Sequence, residues 1–163
     1  MEFFYAMTET AVSIWVLESN YGYYLMLIGH ALGMATVVGV VLMLDLRVLG
    51  YGSALPFNVF DRLLTIGWLG FALNAATGIL LFMAKADRYV INTPFILKIL
   101  LIAAGGFSMW ALGRLLRNNV SDVEIESSGR TFAMLSIVFW IGAIIAGRLI
   151  AYTLPPPPPP AFI

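Results

Sequence analysis

The chain has 163 residues, 61% hydrophobic and only 11% charged, with nine basic residues balancing nine acidic ones. A soluble domain carries about 25% charge, so a chain with a mean hydropathy of +0.91 lacks the polar residues to cover a water-facing surface and is directed to a bilayer. Zero net charge leaves no electrostatic footprint for nucleic acid, and the absence of cysteine removes disulfides, thiolate catalysis, iron–sulfur ligation and structural zinc.

Residues 1–20, MEFFYAMTETAVSIWVLESN, carry Glu2, Glu9 and Glu18, have no basic stretch and are followed by no small-residue cleavage site. They read as mature protein rather than as a secretory signal. Phe3, Phe4, Met7, Val12, Trp15 and Val16 are expected in the membrane interface, with Glu9 and Glu18 facing water, as an amphipathic interfacial helix.

Four apolar runs then reach the ~20 residues that cross a hydrocarbon core. They extend from Tyr23 to Leu44, Leu63 to Ala84, Pro94 to Leu116 and Ala133 to Leu154. Asp61 is expected to cap the second span, and Thr93 to cap the third with Pro94 at its first helical position. No run alternates with period two, which argues against a β-barrel. Short links make sequential neighbours antiparallel. The predicted fold is therefore all-α, an up-down bundle of four transmembrane helices over residues 21–154. Residues 1–20 form its interfacial segment and residues 155–163 a proline-rich tail.

Arg47, Arg62, Arg114, Arg117 and Arg130 cluster at the first and third loops, while the second loop holds Lys85 and Arg88 and the tails hold no basic residue. The positive-inside rule then places the first and third loops in the cytoplasm and both termini outside. Asp45, Asp61, Arg47, Arg62 and Arg114 are expected to form interfacial ion pairs, and no carboxylate is expected deep in a span. Residues 118–129, with Asp122, Glu124 and Glu126, read as a solvated loop. The six tail prolines would form a polyproline II rod of roughly 19 Å at ~3.1 Å per residue, presenting Ala161, Phe162 and Ile163. It is either a low-complexity end or a strut that docks a partner.

His30 is the only histidine, and it lies in the first span. Gly22, Gly29, Gly33 and Thr36 share one stripe of that helix, bordered by His30, and would let a neighbouring helix or a flat macrocycle approach closely. Gly142, Ala143, Ala146 and Gly147 repeat the small-residue pattern on the fourth span. Counting at ~1.5 Å per residue from the outer helix ends puts Lys98 about 6 Å deep, Arg148 about 9 Å, His30 about 10 Å and Asn74 about 15 Å. Because buried polar groups in membranes are expensive, one such residue on each helix suggests an outward-opening pocket.

Two readings of His30 stay open. It is a structural imidazole hydrogen-bonded to Asn74 or a hydroxyl, or it is an axial ligand to haem b whose propionates meet Lys98 and Arg148. With one histidine, a second axial ligand would come from another protomer or from a methionine of another helix; otherwise the iron is five-coordinate.

The stretches LIGHALGMATVVGVVLMLDLRVLGYG (residues 27–52) and PFNVFDRLLTIGWLGFALNAATGILLFMAKADRYVINTPFILKILLI (residues 56–102) resemble a family of small bacterial four-span inner-membrane proteins of unknown function. The resemblance covers about residues 20–115 and is most specific at Asp45, Leu46, Arg47, Leu49 and Gly50. The chain is also faintly similar to haem-containing membrane protoporphyrinogen oxidases and to copper-resistance membrane domains. In the oxidases an early histidine and a later lysine correspond to His30 and Lys98. These resemblances imply a four-span bacterial inner-membrane protein, which with that orientation puts both termini in the periplasm, and the fainter one implies haem.

The leading expectation is a non-enzymatic membrane subunit or anchor that binds haem b and relays electrons with a periplasmic protein. Glycine-rich faces would support a homo-oligomer or a larger membrane complex. A cofactor-free structural or assembly module is the alternative. A haem-dependent oxidase of a porphyrin or quinone is a third.

Overall fold

A backbone in hydrocarbon has no water to satisfy its N–H and C=O groups, so unbroken apolar sequence folds into helices that close their own hydrogen bonds. The computed structural model describes residues 1–118 and 121–156. Its helices are α1 (Glu2–Thr8), α2 (Ala11–Glu18), α3 (Gly22–Val48), α4 (Val59–Met83), α5 (Ala86–Tyr89), α6 (Thr93–Arg117) and α7 (Asp122–Thr153), and no strand occurs among the described residues. Helices α3, α4, α6 and α7 are long and apolar enough to cross a membrane.

The helix starts are set by local side chains, and three differ from expectation. Asn92, not Thr93, caps α6 by accepting from the Phe95 N–H, with Pro94 in the first turn. Asp61 falls inside the first turn of α4, where its charge favours the helix dipole without capping it. The largest difference is at α7, where Ser121 accepts from the Glu124 N–H and the helix begins at once. The acidic stretch expected as loop thus forms the first turns of a 32-residue helix. The segment 1–20 is likewise two short helices rather than one. Thr10 caps the second, and Val16 is buried with Ser13 instead of facing the interface. Phe3, Val12 and Trp15 remain exposed.

The bundle is two antiparallel hairpins, α3 with α4 and α6 with α7, joined along an α3–α7 seam; α4 and α6 barely touch. The core concentrates at the end of the bundle that holds Arg47. There Val41, Leu44, Phe60, Met109, Leu112 and Ala133 are all buried.

Arg47 fastens that end. Its Nε donates to the Leu55 carbonyl at 2.7 Å, Nη1 to Glu126 at 2.6 Å, and its guanidinium lies 4.0 Å over the Phe57 ring. Asp122 is 3.8 Å from Nη2. The chain turns between these contacts at Gly50, whose φ of +96° favours glycine. Of the five residues expected to form ion pairs, only Arg47 does so among the described residues, and its partners come from α7. Arg114 instead lies 5.4 Å over Trp110. Asp45 is fully buried in α3, and neither carboxylate oxygen has a hydrogen-bond partner.

Candidate ligand cleft around His30

Helix α4 reaches His30 because glycine lets it. A Cβ on Gly33 would stand 2.6 Å from the Asn74 nitrogen and 2.8 Å from the Gly70 oxygen, and one on Gly29 would meet Thr77 Cγ2 at 3.1 Å. The stripe that could have admitted a macrocycle is therefore filled by α4. Gly29 and Gly33 do not line the cleft; they bring its polar residues together.

In that register α3 and α4 exchange two hydrogen bonds. The Asn74 amide donates to the His30 carbonyl at 2.7 Å, and His30 Nδ1 donates to the Asn74 carbonyl at 2.9 Å. Since a carbonyl only accepts, this bond puts the ring proton on Nδ1 and leaves Nε2 as the ring's acceptor. Thr77 Oγ1, 3.4 Å from Nδ1, donates to the Leu73 carbonyl at 2.7 Å. Nε2 points the other way and accepts from the Lys98 ammonium at 3.4 Å. Gly78 makes room for the ring, because a Cβ there would lie 3.0 Å from His30 Cε1.

His30, Asn74 and Lys98 thus line one cavity of about 510 Å³. Its volume falls within the ~300–1,000 Å³ of small-molecule sites. Phe71, Ile79, Ile99 and Ile102 form its apolar walls. Across its end, Phe82 and Phe95 stack with centroids 5.3 Å apart, and Tyr89 packs on Phe95 at 5.1 Å. Phe4 of α1 meets the outer side of Phe82.

Arg148 does not join this group. It is exposed, and its guanidinium lies 5.5 Å from the Tyr152 ring centroid. The residue before it, Gly147, is the one that lines the cleft, beside the Lys98 stem. One step along a helix turns a side chain by about 100°, which carries Arg148 off this face.

Beyond the aromatic stack, the connection between α4 and α6 is tied to the end of α7. Arg88 donates to the Pro155 carbonyl at 3.2 Å, and the Asn92 amide donates to Thr153 at 3.0 Å. Lys85 Nζ sits 4.9 Å over Tyr23. Burial, and then the Arg88 charge, lower the Lys85 ammonium from its ordinary value. Burial and neighbouring Tyr23 raise the Tyr89 phenol, with Arg88 opposing. The tail tip expected to act as a strut, Ala161–Ile163, lies outside the described residues.

Comparison of the chain with protein-family models, curated proteins and solved structures finds no match. Function is therefore argued from the cleft alone.

Among the described residues, no three His, Asp or Glu side chains gather to hold a bare metal ion. A metal here would have to arrive in its own chelate. Haem b meets that condition, and the donor chemistry of His30 fits it. A ligating imidazole characteristically donates its other ring N–H to a carbonyl or carboxylate, and His30 Nδ1 already does so. Lys98 supplies one cation for a propionate, on an unbranched stem that can swing away from Nε2. No methionine and no second histidine lines the cavity, so the residues present fit a haem held by one protein ligand.

Proposed function

We propose that the chain is an integral membrane subunit or anchor that holds haem b in the cleft between α4 and α6 and exchanges electrons with a periplasmic partner. The observation that carries this reading is the Nδ1 hydrogen bond of His30, which leaves Nε2 as a lone pair directed into the cavity, where Lys98 donates to it. When bound, haem supplies reversible one-electron chemistry. His30 would hold the iron, Asn74 fixes the ring's tautomer and direction, Lys98 would pair with a propionate, and the walls exclude water. The basic residues Arg47, Arg62 and Arg114 at the opposite end support a bacterial inner membrane with the cleft on the periplasmic side. Gly29 and Gly33 are spent within the protomer, so they lend no face to a homo-oligomer.

The test is a visible spectrum of the full chain, expressed with ample haem and recorded oxidised and dithionite-reduced. A Soret band and a reduced α-band that His30→Ala removes are the expected result. A spectrum without them overturns the haem reading. The cofactor-free module then stands, supported by the same His30–Asn74 pair acting as a ligand-independent lock between α3 and α4.

A further inference from the structure

We propose that the cleft takes its ligand from the bilayer, through the gap between α4 and α6, and that this ligand is an apolar amphiphile whose carboxylate pairs with Lys98. The proposal deepens the reading of the cleft as a ligand site.

The route follows from the architecture. Each long helix packs along its hairpin partner, and α3 packs on α7, but α4 and α6 are left apart. The walls of the gap are apolar. Ile79 on α4 and Ile99 on α6 both line the cavity and are 58% and 48% exposed, so an opening between them faces acyl chains. The end that would face water is crossed by α5 and by the Phe82, Phe95 and Tyr89 rings, with α1 against Phe82. A solute from water meets aromatic rings; a solute dissolved in lipid meets an open side.

The ligand's head group follows from the donors left over. Asn74 and Thr77 are spent on His30 and on backbone carbonyls. Lys98 is part-buried and donates to the neutral His30 Nε2 at 3.4 Å, but it has no acidic partner among the described residues, where the ion pairs are those of Arg47. A lysine in a membrane span without a counter-ion is costly, and an incoming carboxylate supplies the missing charge. An ammonium or a neutral head would leave the Lys98 charge without a counter-ion. Haem propionates and a single-chain fatty acid share this chemistry.

The experiment uses the full chain in lipid nanodiscs. The probes are a fatty acid with a diazirine at its chain end and, separately, haemin, each supplied within the lipid. Photolabelling is expected to concentrate on the segments bearing Ile79, Ile99 and Ile102. Lys98→Met should lower it at least about tenfold, as expected when one partner of a part-buried charge pair is removed. Ile79→Trp, which narrows the gap without touching Lys98 or His30, should slow uptake of both probes. Competition by haemin makes haem the carboxylate source; labelling without competition makes it the fatty acid, and either outcome supports the lateral route. Label spread evenly over lipid-facing positions such as Leu69, Leu100 and Val138, unchanged in both variants, overturns it. A cleft that labels but shows no Soret band retires haem alone. A Soret band with evenly spread label and unchanged haemin uptake in Ile79→Trp retires the lateral route alone.

Discussion

Asn74 and His30, one on each helix of the first hairpin, are hydrogen-bonded to each other twice, and one bond uses only the backbone of Asn74. This separates two roles in a single substitution. Asn74→Leu removes the amide bond to the His30 carbonyl but keeps the carbonyl that receives the Nδ1 proton. Interhelical hydrogen bonds in membranes are worth about 0.6 to 1.7 kcal/mol, and the thermal midpoint in detergent should fall accordingly. Any haem spectrum should persist, whereas His30→Ala should abolish it.

Gly33 and Gly39 lie on the same helix in opposite circumstances. A Cβ on Gly33 would collide with the α4 backbone, while one on Gly39 meets nothing within 4 Å. Gly33→Ala should force the hairpin apart at a cost of about 1–3 kcal/mol. Gly39→Ala should be neutral or slightly stabilising, because alanine favours the helix by about 1 kcal/mol. Thermal unfolding of the two variants side by side checks both signs, and equal destabilisation would refute the close α3–α4 packing.

How much of this could be read beforehand depends on which coordinate is meant. Position along a membrane helix is legible, since length and apolar run fix where residues fall. Counting from the helix ends therefore places His30, Asn74, Lys98 and Arg148 at similar depths, and the first three do meet. Rotation about the axis is not legible in the same way. Gly147 and Arg148 are adjacent, yet one lines the cleft and the other leaves it, depending on which face α7 turns to α6. Gly78 carries no sequence signal of its own, because its meaning lies in the imidazole opposite, 48 positions earlier in the chain. The start of α7 did carry a signal, Ser121 followed three residues later by Glu124, which is a capping box. Acidic composition outweighed it.

Within the Asp45–Gly50 stretch Arg47 makes the fastening contacts, and these predict a graded series. Arg47→Ala loses the Glu126 ion pair, the Leu55 carbonyl bond and the Phe57 stack together. Glu126→Gln loses only charge and keeps an acceptor. Breaking a buried pair by removing one partner costs roughly 3–5 kcal/mol, less here because Glu126 is part-exposed. Arg47→Ala should therefore unfold at clearly lower temperature than Glu126→Gln. It should also expose the turn between Gly50 and Phe57 to limited proteolysis. Equal midpoints would mean that the ion pair alone, without the turn contacts, fastens α3 to α7.

The α5 roof should respond to alkaline pH in two opposing steps. Lys85 binds its proton less tightly when folded than its ordinary 10.5, chiefly through burial. Between that lowered value and 10.5 the unfolded chain holds more protons, so stability rises with pH across this window. Tyr89 behaves oppositely. Burial raises it above 10.0, so its contribution is complete below 10.0 and is lost as pH climbs through the folded value. Hydrogen exchange of the segment bearing α5, followed against pH, should show protection rise and then decline. Lys85→Met should remove the rise and Tyr89→Phe the decline. If both variants kept the wild-type profile, the roof would not be the element that titrates, and closure of the cleft's outer end by α5 would lose its support.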